Sequence, residues 1–382
     1  MENGEINETL RVRREKKRMK WYTKLWAYPL LVLNMAVCAV FLLCAFSQQI
    51  PAEKFPIISL AGMAFPIALG GVVFFFLFWL VFHKRFVWVS AFTLLVCGSQ
   101  IYSMFPLNVS DIRAPRGGIK VLSYNVLRID SKEDNPILQY LSKSKADIIC
   151  LQEASAEDLK KYDQKAEWMK EYPYRSYRMP HGGTREARDI SCISRYPILS
   201  LANVTFPETG NGYSRYTLDV KGDTITLFNC HLQSFGLNED DKSLYEDILS
   251  HPKESLPTSG TKGLLRKLRD ANARRSVQAD SLASDIRRAL GNGPAPRTVI
   301  VCGDFNDTPI SYSHYRVSRL LKDAHTQSGN GFGFSYNRNK MFFRIDHILA
   351  SPNLKPYRCK VDRSVKASDH YPIYSYFVYR EQ

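Results

Sequence analysis

The chain has 382 residues, which is enough for one large domain with an appendage or for two ordinary domains. Its net charge of +15 suits an anionic substrate or surface, but charge alone does not select nucleic acid. The eight cysteines show no CxxC spacing, so neither a zinc site nor a disulfide framework is predicted. Those in strand-like runs are interpreted as small buried thiols.

Charged side chains are almost absent from residues 25–105, where only four occur: Glu53, Lys54, Lys84 and Arg85. Three long apolar runs fill this stretch, at 25–46, 56–82 and 86–105. Because about 20 apolar residues cross the hydrocarbon core of a bilayer, each run predicts a transmembrane helix. Together they predict an integral, multi-pass protein of a plasma or inner membrane.

Basic residues flank the three runs unequally. Residues 1–24 carry eight Lys/Arg and four Glu, and Lys84 and Arg85 follow the second run, whereas the loop between the first two runs has only Lys54 as a basic residue. By the positive-inside rule, this predicts that 1–24 is a basic cytoplasmic tail and that the chain crosses three times. A linker at 106–117 would then lead to a catalytic domain, 118–382, outside the cytoplasm.

From residue 118 onward, short β-rich runs alternate with runs that have helical periodicity. This alternation predicts an α/β layered domain with two sheets inside. The strand candidates are IKVLSYNV, ADIICLQE, DISCISRYPIL, RYTLDV, TITLFNCHL, RTVIVCGDFN, FFRIDHILAS and HYPIYSYFVY. The helix candidates are PILQYLSKS, AEDLKKYDQKAEWM and LLRKLRDANARRSVQADSLASDIRRAL.

Polar residues stand where the predicted strands begin or end. Taken singly, such a residue usually caps a turn. Taken in order, the segments N, LQE, NCH, GDFND, RIDH and SDH resemble those of the endonuclease/exonuclease/phosphatase superfamily over residues 118–377. The resemblance implies the DNase I-like fold, a four-layer α/β/β/α sandwich. The residues concerned are Asn125, Glu153, His231, Asp304, Asn306, Asp346, Asp369 and His370.

The chemistry of phosphoester cleavage assigns expected roles to the first of these residues. Mg²⁺ prefers hard oxygen ligands, which makes Glu153, with Asn125 beside it, the best candidate site for Mg²⁺ or Mn²⁺. The resemblance implies the same pair, with Asp369 close to the metal. His231 is expected to donate a hydrogen bond to a phosphoryl oxygen.

Asp304 and Asn306 are two residues apart on a segment expected to be extended, which would place both side chains on one face. In the family, such a pair orients the attacking water and contacts the phosphate. Asp307 is expected to point the other way, as a turn residue in NDTP.

The resemblance also pairs Asp346 with His370 as the acid–base part of the site. Whether His370 removes the proton of the water or stabilises transition-state charge stays open at this point. The neighbouring His347 is expected on the opposite strand face. Arg188 and Asp189 replace small residues usual in the family before SRYP, which bears on the choice of substrate.

Three functions are therefore compared. The favoured one is a membrane-anchored phosphodiesterase or phosphatase that uses metal-assisted attack of water on phosphorus. The second is a nuclease acting on DNA or RNA, supported by the +9 charge of residues 106–382 and the basic run RKLRDANARR. The third is an inactive binding domain. The predicted topology favours a small or lipid-linked anionic phosphoester, and no protein partner is inferred.

Overall fold

The computed structural model describes residues 25–108, 115–129, 132, 134–177, 190–206, 209–251, 259–293, 297–338 and 341–380. The predicted tail 1–24 lies outside the described residues, as do Arg188 and Asp189, the two residues that replace small ones before SRYP. The described chain divides into two compact units. One comprises residues 25–46 and 64–99, and the other comprises residues 47–63 and those from 100 onward.

The first unit is helical and apolar. Helix α1 (Leu25–Gln49) and the run Pro56–Phe82 are each long and apolar enough to cross a membrane. The third predicted span consists of two helices, α4 (Val87–Val96) and α5 (Gly98–Met104), bent by 63° at Cys97. By length and composition the described chain has two possible spans, or three if this bent pair counts as one. The number of crossings therefore stays a prediction.

The run Pro56–Phe82 is not one regular helix. It starts with the short helix α2 (Pro56–Ser59), continues as a 3-10 segment (Leu60–Ala64) and becomes α3 (Phe65–Phe82). The break falls where the chain passes from the second unit to the first.

The second unit contains two six-stranded sheets and a hairpin. The first sheet has the strand order β13-β14-β1-β2-β4-β3, and the second has the order β5-β6-β7-β8-β12-β9. The strands are β1 Ile119–Asn125, β2 Ile148–Gln152, β3 Tyr174–Tyr177, β4 Ile190–Ser194, β5 Ile198–Thr205, β6 Gly212–Val220, β7 Asp223–His231, β8 Thr298–Asp304, β9 Lys322–Asp323, β10 Tyr336–Arg338, β11 Met341–Phe343, β12 Asp346–Ala350, β13 Leu354–Val361 and β14 Ile373–Tyr379.

Six α-helices follow β1 among the described residues. They are α6 Pro136–Ser144, α7 Ala156–Asp163, α8 Glu239–Ser250, α9 Ser259–Leu290, α10 Tyr312–Ser318 and α11 Ala324–Ser328, with a 3-10 segment at Glu167–Glu171. One apolar core, including Val121 and Ile300, lies between the sheets. A second joins α6 and α7 to the first sheet, and a third joins α9 to the second sheet through Leu282 and Ile286. The predicted four-layer α/β/β/α sandwich is therefore confirmed.

Most predicted elements match the observed ones. PILQYLSKS is α6, whereas the second helix candidate divides into α7 and the 3-10 segment. The candidates DISCISRYPIL and FFRIDHILAS each divide into two strands. Strands β3, β9, β10 and β13 had not been predicted, because the first three are short and β13 contains Pro356 and a register shift between Tyr357 and Lys360.

Strand register brings the polar strand ends to one edge of the sandwich. Asn125 is opposite Gln152 in the parallel pair β1–β2, and His231 is opposite Asp304 in the parallel pair β7–β8. Asp346 is opposite Asp304 in the antiparallel pair β12–β8. Gly303, with φ of +134°, permits the close approach of β7, because a Cβ there would collide with the carbonyl oxygen of Cys230.

Candidate active site

Buried amides join the two sheets directly beneath the site. Gln152 Nε2 donates to Asn229 Oδ1 at 2.6 Å, and Asn229 Nδ2 donates to the carbonyl oxygens of Leu151 and Ser191 at 3.2 and 3.0 Å. Gln152 and Asn229 are fully buried. These hydrogen bonds cross from one sheet to the other, so they hold the ends of β1–β2 against those of β7–β8.

Four predicted site residues converge just beyond these amides. Asn125 Nδ2 donates to Asp304 Oδ2 at 3.0 Å and lies 3.4 Å from Glu153 Oε1. His231 Nε2 lies 3.5 Å from Glu153 Oε1 and 3.8 Å from Asp304 Oδ2. Residues 179 positions apart in the chain thus share hydrogen bonds at the seam between the sheets.

The expectation that Asp304 and Asn306 share an extended segment is wrong. Strand β8 ends at Asp304, and Asn306 has φ of +52°. The two side chains meet through a turn instead: the backbone N–H of Asn306 donates to Asp304 Oδ1 at 2.7 Å, and Asn306 Nδ2 lies 3.2 Å from Asp304 Oδ2. Glu153 also has a left-handed backbone, with φ of +56°. Such conformations cost energy in non-glycine residues and cluster at functional sites.

His370 and Asp346 form a buried pair. His370 Nδ1 lies 2.7 Å from Asp346 Oδ2, and His370 Nε2 lies 3.7 Å from Asp304 Oδ2. Burial alone would lower the pKa of His370, but Asp346 and Asp304 outweigh it and raise this pKa well above its usual range. Burial raises the pKa of Asp304. The two carboxyl groups on either side of the imidazole thus favour its charged form.

Asp369 lies in the same cavity but outside the tightest cluster. Ser368 Oγ donates to its Oδ1 at 3.3 Å, and its carbonyl oxygen accepts from the N–H of Asn337 at 3.2 Å. Among the described residues, the group around the site whose ligand atoms all lie within 4.8 Å is Asp304, Asp346 and His370. The metal-ligand role of Asp369 stays a prediction.

The acidic groups suit a divalent cation. Asp304 and Asp346 are buried, and Glu153 brings a further carboxylate to the same place, whereas Asn125 turns its Nδ2 toward these carboxylates and its Oδ1 accepts from the N–H of Leu127. Several carboxyl groups in a desolvated site repel one another unless a cation balances them. Hard oxygen donors of this kind fit Mg²⁺ or Mn²⁺ rather than a thiolate-binding metal. The residues present therefore fit the group that the fold family implies.

Asp307 and His347 belong to a supporting layer behind the site. The interpretation of Asp307 as a turn residue missed its main contact: it is buried, and its Oδ2 lies 3.2 Å from Nη1 of the fully buried Arg275. His347 Nε2 lies 2.9 Å from the carbonyl oxygen of Asp307, on the side away from His370. No local pattern in the sequence indicates the Arg275–Asp307 pair, because its members are 32 positions apart.

A cavity of about 330 Å³ opens onto the site. Five predicted site residues line it: Glu153, Asp304, Asn306, Asp369 and His370. Sequence reasoning missed the rest of its lining, which includes Met63, Phe235, Leu268 and Phe343. Tyr336 packs its ring edge-on at 5.2 Å from the imidazole of His370.

Residues 122–370, more than half of the chain, match the sequence profile of the endonuclease/exonuclease/phosphatase family. The chain belongs to this family. Residues 27–104 match a second profile, described only as a domain of unknown function.

One solved structure shows the same fold, and a second is similar in sequence. An endonuclease/exonuclease/phosphatase protein from Bacteroides vulgatus is 15% identical, with a TM-score of 0.50, and the match covers 69% of this chain and all of that one. A mannosyl-6-phosphatase from Bacteroides thetaiotaomicron is 21% identical, with a TM-score of 0.47, over 68% of this chain and all of that one. Among curated proteins, no sequence matches.

Proposed function

We propose that this protein is a membrane-anchored phosphoester hydrolase that requires Mg²⁺ or Mn²⁺. The observation that supports the proposal is the convergence of Glu153, Asn125 and Asp304 opposite the His370–Asp346 pair. These residues meet at one edge of the two-sheet sandwich. The family consists of enzymes that differ in substrate, so the reaction class follows from the site and its substrate must be argued separately.

The net reaction is hydrolysis. The oxygen of water bonds to phosphorus, the bond between phosphorus and the leaving oxygen breaks, and the proton of the water ends on the leaving alcohol. A bound divalent cation would supply charge neutralisation at the phosphoryl oxygens. Glu153 and Asn125, with Asp369 nearby, would hold it.

The remaining residues would position and stabilise. Asp304 accepts from the N–H of Asn306, and this turn directs both side chains to where water and phosphate would meet. His231 would donate to a phosphoryl oxygen. The pair with Asp346 favours the charged form of His370, which suits stabilisation of the developing negative charge.

We further propose that the catalytic domain lies outside the cytoplasm. The support for this topology is the unequal distribution of basic residues that flank the apolar runs. A reporter fused after Gln382 tests this. Alkaline phosphatase should be active there and green fluorescent protein dark, and the reverse would place the enzyme in the cytoplasm.

The activity is tested on the full chain in lipid nanodiscs with bis-p-nitrophenyl phosphate. We expect turnover with Mg²⁺ or Mn²⁺, loss in EDTA, and loss on Asp304→Ala. Turnover that survives both EDTA and Asp304→Ala would overturn the proposal.

A further inference from the structure

The lining of the active-site cavity is of two chemical kinds. The predicted site residues provide its polar groups, and these suffice to hold a phosphoryl group and a cation. Apolar and aromatic side chains from several separate segments make up most of the remainder. Leu264 and Leu268 come from α9, Phe235 from the loop after β7, and Met341 and Phe343 from β11.

This apolar lining is built into the fold. Phe235 packs against the guanidinium of Arg275, whose Cζ lies 4.3 Å from the ring centroid. Arg275 is fixed by Asp307 at 3.2 Å and by the carbonyl oxygen of Gln233, which accepts from its Nε at 2.7 Å. Leu264 is 4% exposed. Where apolar side chains face an open cavity, covering them with an apolar ligand is favourable in free energy.

Met63 brings a part of the apolar third of the chain into the cavity. The segment 47–63 belongs to the same compact unit as the catalytic fold. Asn272 Nδ2 of α9 donates to Ser59 Oγ at 2.7 Å, with both residues buried. Gly62 packs so closely that a Cβ would collide with the carbonyl oxygen of Ile310. Met63 follows directly and lines the cavity.

The same segment carries exposed apolar side chains. Phe55, Ile57 and Ile58 are 54%, 59% and 40% exposed, and Met63 stands two residues before the apolar helix α3. The segment that lines the cavity thus continues in sequence into a helix apolar enough to cross a membrane, and its exposed residues suit contact with lipid.

The lining is poorly suited to a nucleic acid strand. Among the described residues that line the cavity, Lys242 is the one lysine or arginine, and its Nζ already lies 2.8 Å from Glu239 Oε1. Nucleic-acid grooves combine several phosphate-binding cations with stacking platforms. A hydrocarbon chain needs neither.

We propose that this cavity binds a lipid phosphoester drawn from the bilayer, with its phosphoryl group at Asp304, Asn306 and His370 and its hydrocarbon chain along Met63, Leu268 and Phe343. The inference rests on the hydrolase function proposed above and names its substrate class. The reaction is the same hydrolysis: water bonds to phosphorus, and the ester bond to the leaving alcohol breaks with proton transfer to that alcohol.

The test uses the full chain in nanodiscs with Mg²⁺ and a series of methyl, butyl, hexyl and octyl p-nitrophenyl phosphates. We expect kcat/KM to rise with chain length by about twofold to fourfold per methylene, as burial of each CH₂ predicts. Leu268→Asn should flatten this rise. Leu265→Asn is the matched control, because it makes the same change in the same helix at a side chain that is 45% exposed. It should leave the rise of kcat/KM with chain length unchanged.

The matched variants separate binding in the cavity from partition of the substrate into the nanodisc, because partition is equal for both. Met63→Asn repeats the test on a different segment and should also flatten the rise, whether or not Leu268→Asn folds. A wild-type enzyme that hydrolyses all four esters equally would overturn the inference and leave the hydrolase function standing. Faster cleavage of an oligonucleotide than of the octyl ester would also overturn it. Failure to hydrolyse any ester would instead refute the proposed function.

Discussion

His370 Nδ1 lies 2.7 Å from Asp346 Oδ2, and both residues are buried at the edge where the two sheets meet. Strand β12 begins at Asp346, and His370 comes 24 residues later, just before β14. The pair therefore links the two sheets across the site. Its orientation leaves Nε2 of His370 directed toward Asp304, at 3.7 Å.

His370→Ala should reduce kcat by about a hundredfold to ten-thousandfold, because it removes a positioned charge from the reacting centre. His347→Ala is the matched control, since its imidazole lies behind the site on Asp307. It should lower the melting temperature but keep kcat within about tenfold of wild type. Steady-state kinetics well below the melting temperature make the comparison. Equal losses of kcat would show that His347 acts in the reaction.

Glu153→Gln keeps the size of the side chain but removes the charge expected to hold the cation. We expect the Mg²⁺ concentration for half-maximal activity to rise by at least about tenfold. Glu167→Gln is the control, because the Glu167 carboxylate is 83% exposed and forms an ion pair with Lys170. A metal titration of both variants decides the matter. An unchanged midpoint in Glu153→Gln would remove this residue from the metal site.

Gly303→Ala should destabilise the fold by at least about 3 kcal/mol, because the new Cβ meets the backbone of Cys230 and φ is +134°. Gly263→Ala, in helix α9 with open space around it, should be neutral or stabilising by up to about 1 kcal/mol. Thermal unfolding of the full chain measures both. A Gly303→Ala protein as stable as wild type would show that β7 and β8 can separate without cost.

His325 should contribute a loss of stability as the pH falls below about 6.5. Burial, with Arg344 nearby, lowers the pKa of His325 to about 3. Below the ordinary pKa of about 6.5, the unfolded chain therefore binds a proton that the folded chain does not, and stability falls until about pH 3. This residue alone should cost about 2 kcal/mol near pH 5.

His325→Gln should remove that part of the pH dependence, whereas His251→Gln, on an exposed side chain, should retain it. Melting curves near pH 7.5 and pH 5 provide the measurement. The same acid-induced drop in wild type and in His325→Gln would exclude this residue as a source.

The strands and the polar residues at their ends could be predicted from the sequence, whereas turn geometry and contacts between distant residues could not. Alternating apolar runs indicate strands, and a polar residue at the end of each run indicates the sheet edge, which is how Asn125, Asp304 and His370 could be selected before any geometry was known. The turn at Asn306 could not, because an Asn with φ of +52° looks in sequence like a continuation of its strand. Arg275 and Met63 were missed because their partners are distant in the chain, and only tertiary packing brings them together.

Residues 25–105 likewise include features that composition predicts and features that depend on tertiary packing. Composition is sufficient to find runs that can cross a bilayer, and α1 and Pro56–Phe82 fulfil the length requirement. Composition does not reveal that 47–63 packs with the catalytic fold, because this depends on Gly62 and Ser59 fitting against distant residues. The 63° bend at Cys97, by contrast, adjoins the pair Gly98-Ser99, and helices commonly kink at such pairs.

The most direct test of the central claim is hydrolysis of bis-p-nitrophenyl phosphate by the full chain in isotopically labelled water. With Mg²⁺ or Mn²⁺ present, we expect the oxygen label in the phosphorus-containing product, since water attacks phosphorus. We expect no turnover in EDTA or in the Asp304→Ala/His370→Ala double variant. Wild-type turnover by that double variant, or a product that contains no label on phosphorus, would contradict a phosphoester hydrolase centred on these residues.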